Sequence, residues 1–275
     1  MNMMQDEAGD DTSSPGTQVI RRAALLLRLL TAHNRVGMRL VDLYRGAEIQ
    51  RSTAHRMLQG LVSERLVTQE QESKRYFLGP AIYEMGLAAA PPLQLRDICQ
   101  PYLNAVAEQT GDTVFLSVRS GFDGVCVDRK EGAFPIKAFV LEPGKRRPLS
   151  VGSGNIAILS GLPDDEIARI CAANRSRVAE RYPRYTEVEF ERRLADVKRF
   201  GYTLTEVLET VGVRALAMRI RDADGVSFAA ISVSTLLSRL EGERVREVAT
   251  YLADAVRAVE EDLAKAGYRS GAAAR

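Results

Sequence analysis

Residues 40–79 read LVDLYRGAEIQRSTAHRMLQGLVSERLVTQEQESKRYFLG. Leu40, Val41, Leu43 and Ala47 recur at helical spacing, Glu48-Ile49-Gln50 interrupts them, and a second stripe follows through Ala54, Met57, Leu58, Leu61 and Val62. This predicts a short helix over 40–47 and a longer one over 52–66. Ser52 is its expected N-cap, because a serine hydroxyl accepts from the free amides of a first turn. Next, Val67-Thr68 and Arg75-Tyr76-Phe77-Leu78 flank a polar tip running from Gln69 to Lys74, the pattern of a β-hairpin. Upstream, VIRRAALLLRLLTAH (19–33) sets Ile20, Ala23, Ala24, Leu27 and Leu30 on one helical face. Three helices and a hairpin, in that order, make a winged helix-turn-helix. In that arrangement the third helix fills a major groove and the hairpin lies on neighbouring phosphates.

Charge agrees with that reading. Residues 17–80 hold eleven Lys and Arg against five acids, an excess of six positive charges, whereas residues 1–16 hold four acids and no base. The remainder is nearly neutral, and the net charge of the chain is only +2. A compact basic segment beside a larger neutral one suits a phosphate-contacting module attached to something else. On the third helix, Gln50, Arg51, Ser52, Thr53 and His55 are candidates to approach the base edges of double-stranded DNA, and Arg56 to hold phosphate. Arg21, Arg22, Lys74 and Arg75 are further phosphate candidates. At each single position a plain solvated helix face is the alternative.

The rest of the chain reads as a second, α+β domain. PAIYEMGLAAA (80–90) is a helical linker that Pro91-Pro92 is expected to stop, and 93–110 is an amphipathic helix carrying Pro101. Strands are expected at 113–121, 124–132 and 135–144, then a Gly/Ser loop leading into a short helix within 148–162. Pro163-Asp164-Asp165-Glu166 starts another helix, with acids on its N-terminal dipole. Thr186 and Glu189 form a capping box for a helix over 187–200. Strands at 201–206, 213–221 and 226–235 follow, the last two joined through Asp222-Ala223-Asp224-Gly225, and a helix over 242–266 leads into an Ala/Gly tail. The domain boundaries so drawn are a disordered acidic tail (1–17), the winged domain (18–79), the linker helix (80–92) and the α+β domain (93–268).

Two patterns in this second domain suggest a binding site. Gly152, Ser153 and Gly154 present backbone amides beside a helix start, which suits a carboxylate or is an ordinary Gly/Ser turn. Ser232 and Ser234 are two apart on a strand and share a face with Ala230, while Ile231 and Val233 take the opposite face. The serines are ligand donors or simply small strand residues.

Catalytic patterns are missing. Both histidines, His33 and His55, fall in the first domain, so no Ser-His-Asp or Cys-His set forms within the second. No metal-ligand spacing, P-loop or dinucleotide fingerprint is found, and no cofactor is expected. Cys99, Cys126 and Cys171 are far apart without CxxC spacing; they read as reduced packing residues, with a redox role left open. No apolar run is long enough to span a bilayer, and the first residues do not read as a secretory signal, so a cytoplasmic, non-enzymatic protein with no membrane partner is expected.

Seven motifs in order give the chain a resemblance to the IclR family over about residues 18–265. They are Arg51-Ser52-Thr53-Ala54-His55-Arg56-Met57-Leu58, Arg75-Tyr76-Phe77-Leu78-Gly79, Thr110-Gly111-Asp112-Thr113-Val114, Val127-Asp128-Arg129, Pro148-Leu149, Gly212-Val213-Arg214, and Ala229-Ala230-Ile231-Ser232-Val233-Ser234. The resemblance implies a dimeric or tetrameric repressor or activator. Its C-terminal domain would be GAF/PAS-like and bind a small organic-acid or aromatic effector against one face of the sheet. Carried onto this sequence, the family's effector positions are Gly152, Ser153, Gly154, Thr205, Val213, Ala215, Ser232 and Ser234. The alternative from the residues alone is a ligand-binding or protein-interaction scaffold whose helix-turn-helix serves dimerisation. Three positions depart from family habit. Ser150 replaces a His, Asn155-Ile156 replaces a Gly-Lys pair, and Met218 stands for a Pro, which separates the fold from any one member's effector.

Overall fold

The computed structural model describes residues 15–88 and 91–270. Residues 1–14 of the expected tail and 271–275 of the Ala/Gly tail lie outside the described residues, and Pro15 to Thr17 already belong to the first helix. The chain divides between residues 89 and 90 into two compact units.

In the first unit, α1 (Pro15–His33), α2 (Leu40–Gly46) and α3 (Arg51–Ser63) precede a two-stranded wing, β1 (Val67–Gln69) and β2 (Tyr76–Leu78), and α4 (Pro80–Ala88) closes the unit. Leu26 and Leu30 of α1, Leu43 of α2, Leu58 and Leu61 of α3, and Tyr76 of the wing meet in one core. Burying each leucine contributes about 1.5–3 kcal/mol, so the three short helices stand by packing one face rather than by intrinsic propensity. The wing is tied in by Met38, which exchanges two backbone hydrogen bonds with Tyr76 (3.0 and 2.8 Å). Gly79 ends the wing because its amide donates to Leu66 O (2.8 Å) and a Cβ there would fall 2.1 Å from Arg65 O.

The N-terminus of α3 differs from expectation. Gln50, extended at φ −62° and ψ 142°, is the N-cap and uses no side chain for it, while Ser52 lies inside the first turn. Its hydroxyl is thereby free of a capping duty.

The second unit is a six-stranded antiparallel sheet of order β5-β4-β3-β8-β7-β6. Its strands are β3 (Thr113–Ser120), β4 (Asp123–Glu131), β5 (Arg146–Pro148), β6 (Thr203–Glu206), β7 (Val213–Arg221) and β8 (Ser227–Leu236). Helices α5 (Pro91–Thr110) and α9 (Glu243–Lys265) cover one face, where Leu103, Val106, Leu252 and Val259 pack on Leu116, Ile231 and Val233. On the other face α6 (Ser153–Leu159) sits against Ala217 and Ala230, and α7 (Asp164–Arg181) and α8 (Glu187–Phe200) pack outside it through Ile167, Ile170 and Phe190. Thr186 caps α8 by accepting from Glu189 N (3.3 Å). The Glu189 carboxylate turns to Arg192 (2.7 Å) and Arg193 (2.6 Å).

Three further expectations are corrected. Pro91 and Pro92 open α5 instead of only stopping the preceding helix, since a first helical turn has no use for their missing N–H groups. Residues 135–144 form no strand; the sheet edge beside β4 is taken by β5, with Asp123 opposite Pro148. The segment lines a core instead, with Ala138 and Val140 buried and Ile136 and Phe139 exposed. The strand expected from 201 begins at Thr203, because Gly201 ends α8 in the left-handed conformation (φ 78°).

Candidate functional site

The first unit presents one polar face on α3. Gln50, Arg51, Ser52, His55 and Arg56 are exposed and Thr53 is half-buried, while Ala54, Leu58 and Leu61 hold the helix from behind. Between this face and the wing lies a concavity lined by Arg39, Arg51, His55, Gln69, Ser73 and Lys74, among others. Lys74 reaches it from a left-handed backbone position at the wing tip (φ 57°). Arg39, just before α2, is the functional candidate that sequence reasoning passed over; its only signal was membership of the basic excess. Arg75 is turned inward, donating to Gly37 O (2.9 Å), so it braces the α1–α2 loop. Arg21 is exposed and Arg22 half-buried on α1, and neither lines the concavity.

The second unit brings distant residues to one cavity on the α6 face of the sheet. Strand register does most of this. Thr205 pairs with Ala215, Ala215 with Ser234, and Ser232 with Phe115. Thr205, Ala215, Ser232 and Ser234, with Ser117 from β3 and Gly152, Ser153 and Gly154 at the start of α6, line a cavity of about 30 Å³, room for roughly two waters. Seven of the eight expected positions are thus gathered; Val213 is not, being packed with Phe115 and Val207. Ser153 and Thr205 share a short hydroxyl–hydroxyl hydrogen bond. Gly154 stands where a Cβ would lie 3.6 Å from Ser117 Oγ, so larger residues there would fill the space.

Five polar lining side chains were not expected: Ser117 and Glu206 on the strands, and Arg147, Tyr185 and Asn155. Arg147, one residue before the Pro148-Leu149 motif, is 8% exposed. It donates through Nη2 to Val140 O (2.8 Å) and faces Glu209 at 3.2 Å. Tyr185 donates to the other Glu209 oxygen (2.8 Å). Burial, reinforced by that carboxylate, holds its phenol well above the ordinary tyrosine range, so it stays a neutral donor. Asn155, 7% exposed, donates to Pro148 O (3.1 Å) and Val151 O (3.0 Å), tying the loop that approaches α6 to the helix itself. Nothing in the sequence marks Tyr185, which reaches the sheet only because α7 and α8 fold back over α6.

The other departures from family habit fall elsewhere. Ser150 lines a separate groove of about 360 Å³ between α7 and α8, with Cys171 and Phe190. Met218 packs half-buried on the core under α5 and α9. Burial, with the nearby Asp128 charge, pushes the thiols of Cys99 and Cys126 up to about 12.

Comparison with known proteins finds matches to both units. The family model described as "Bacterial transcriptional regulator IclR C-terminal" matches residues 88–261, and that of the "IclR helix-turn-helix domain" matches residues 19–71. The chain is 25% identical over 251 residues to the transcriptional repressor IclR of Escherichia coli K12, covering 90% of this chain and 91% of that one. A solved IclR transcriptional regulator from Alicyclobacillus acidocaldarius shares the fold with a TM-score of 0.72 at 22% identity, covering 89% of this chain and 98% of that one. An IclR homologue from Microbacterium hydrocarbonoxydans, solved in complex with 4-hydroxybenzoate, has a TM-score of 0.69 at 19% identity, with 89% and 98% covered.

Proposed function

The chain belongs to the IclR family of bacterial transcriptional regulators, and from that premise we propose how its two units divide the work. It is a DNA-binding regulator with a C-terminal effector domain. In our reading, α3 enters the major groove with Arg51, Ser52, Thr53 and His55 at base edges and Gln50 beside them. Arg39, Arg56 and Lys74 hold phosphates from either side of the concavity, and Arg21 and Arg22 lie on the flanking backbone. Two copies of the chain then read two half-sites of a partly palindromic operator.

The cavity of the second unit takes a small organic acid or an aromatic acid. The observation that carries this is the convergence of Ser117, Ser153, Thr205, Ser232 and Ser234 on one face of the sheet beside the buried Arg147. A cluster of hydroxyl donors with one cation, next to apolar walls from Val140 and Val207, suits a ligand with a carboxylate and a small apolar body. The homologue that holds 4-hydroxybenzoate supports that class. Because the cavity encloses only about 30 Å³, occupancy parts its walls. It thereby shifts the population between forms with different affinity for the operator.

The test has two arms. With Arg51→Ala, operator binding is expected to fall by about 1–3 kcal/mol for a lost bidentate base contact, and Arg56→Ala removes a phosphate contact besides; normal promoter protection by the double variant overturns the DNA assignment. Thermal-shift screening of aromatic and short-chain acids identifies the effector, since a ligand of the folded state raises its stability. An effector response left intact by Ser232→Ala and Ser234→Ala overturns the cavity assignment.

A further inference from the structure

We propose that Arg147 is the anchor for the effector's carboxylate, and that Glu209 is an internal carboxylate which the effector displaces from it. This rests on the reading of the cavity as the effector site and names the group that selects the ligand.

Arg147 is the only cationic side chain among the described residues lining the cavity. A guanidinium taken out of water is costly unless its donors are filled. Here Nη2 donates to Val140 O and Nη1 is ion-paired with Glu209, but Nε is buried without any hydrogen-bond partner. A buried cation with an idle donor is set up to donate to a further oxygen, and Nε with an Nη is the pair of donors that grips a carboxylate side-on. Glycine backbone lies beside the guanidinium. Gly152 holds a left-handed backbone (φ 89°), and a Cβ there would sit in contact with Nη1 at 3.8 Å.

Glu209 is the opposite kind of partner. It hangs from the connection between β6 and β7, whose neighbouring residue Val211 is almost fully exposed. Its side chain is 27% exposed against 9% for that of Arg147. The carboxylate is therefore at the rim, where release into water costs little, and the arginine is inside, where loss of its counter-charge costs much. The other acid at the cavity, Glu206, is directed to Arg214 (3.6 Å) and does not compete. When an organic anion enters, one carboxylate replaces another on Arg147 and Tyr185, the charge inside is conserved, and the β6–β7 connection is freed. A neutral analogue of the same shape would displace Glu209 without replacing its charge. The site thus selects acids over amides and esters, and couples binding to the movement of that connection.

The experiment is chemical rescue in the full chain. Glu209→Ala is expected to lower the melting temperature, and formate or acetate at tens of millimolar to restore it saturably. Sodium chloride at equal ionic strength and acetamide are expected to have no such effect. Arg147→Met combined with Glu209→Ala should abolish the rescue. Glu209→Gln, which keeps the shape, should also bind acetate more tightly than the wild-type chain does. Acetate that stabilises Glu209→Ala no more than wild type, or equally without Arg147, overturns the proposal. Rescue reads the anion site alone. Rescue alongside an effector response that survives Ser232→Ala and Ser234→Ala would instead sink the cavity reading.

Discussion

Changing Gly124 to Ala tests whether the loop at the cavity is held by the residues named above. Gly124 sits in β4 opposite Arg119 and Arg147, in backbone that any residue adopts. A strand glycine replaced by alanine would ordinarily gain a few tenths of a kcal/mol. Here the new Cβ would lie 1.9 Å from Asn155 Oδ1 and 2.7 Å from Nδ2, so the whole amide must leave. Its two hydrogen bonds to Pro148 O and Val151 O go with it. Each contributes about 1 kcal/mol net, and leaving their buried acceptors unpaired costs more. The loss is therefore about 3 kcal/mol, or roughly 6–12 °C in melting temperature for a unit of this size. Asn155→Ala removes the same bonds and should cost about as much. In that background, however, the added methyl meets no amide, and Gly124→Ala should be close to neutral, a coupling of about 2–3 kcal/mol. Calorimetry or far-ultraviolet circular dichroism on the four proteins measures it. Additive losses, or a single Gly124→Ala cost below about 1 kcal/mol, would refute the reasoning.

Arg39→Ala is expected to weaken binding to operator and unrelated duplex alike and to lower the salt slope by about one, as a phosphate contact does; unchanged salt dependence by mobility shift counts against it. Asp222 is opposed by burial. The N–H groups of Ser270, Asp224 and Val226 and the Ser270 hydroxyl outweigh that, holding its carboxyl below the usual range. Because the folded value is the lower one, its contribution is complete above the ordinary carboxylate pKa and is lost as pH falls through the folded value. Asp222→Asn should accordingly destabilise the chain near neutrality and converge with wild type in acid, read by melting temperature against pH. At pH 8, maleimide should label Cys171, which is half-exposed, and spare Cys99 and Cys126 until unfolding. A thiol at about 12 is only ~0.01% thiolate there, and mass spectrometry of the folded protein decides it.

Much of this was legible because local pattern and tertiary placement agree. The outward face of α3 follows from where Ala54, Leu58 and Leu61 must go, and the split of β8 follows from simple alternation. Residues 135–144 misled because their apolar run supplies a wall of the cavity, through Val140 and Leu141, and not a ladder. Arg75 misled because its neighbours at the wing tip are exposed, while its own guanidinium is recruited by the Gly37 carbonyl. Arg147 and Tyr185 were illegible in a stronger sense. An arginine beside a proline and a tyrosine in a loop carry no local sign of burial. Their meeting at Glu209 requires α7 and α8 to fold back on α6 and the β6–β7 connection to reach the same rim.

Strand β8 shows why these two kinds of information meet in one place. Ile231 and Val233 are fully buried under α5 and α9, and Ser232 and Ser234 point the other way into the cavity. An interior packed this tightly does not absorb displacement on one side of a strand without repacking on the other. On the proposed reading, parting the cavity walls loads the layer on which α5 rests, and α5 is the first helix of its unit, continuous in chain with the unit that holds α3. Val233→Ala is therefore the variant that separates signal from binding. It removes no hydroxyl from the cavity, so carboxylate affinity should fall less than the operator response to a bound acid, which the thinned layer should blunt. Loss of affinity and response in the same proportion would mean that β8 transmits nothing and only shapes the site.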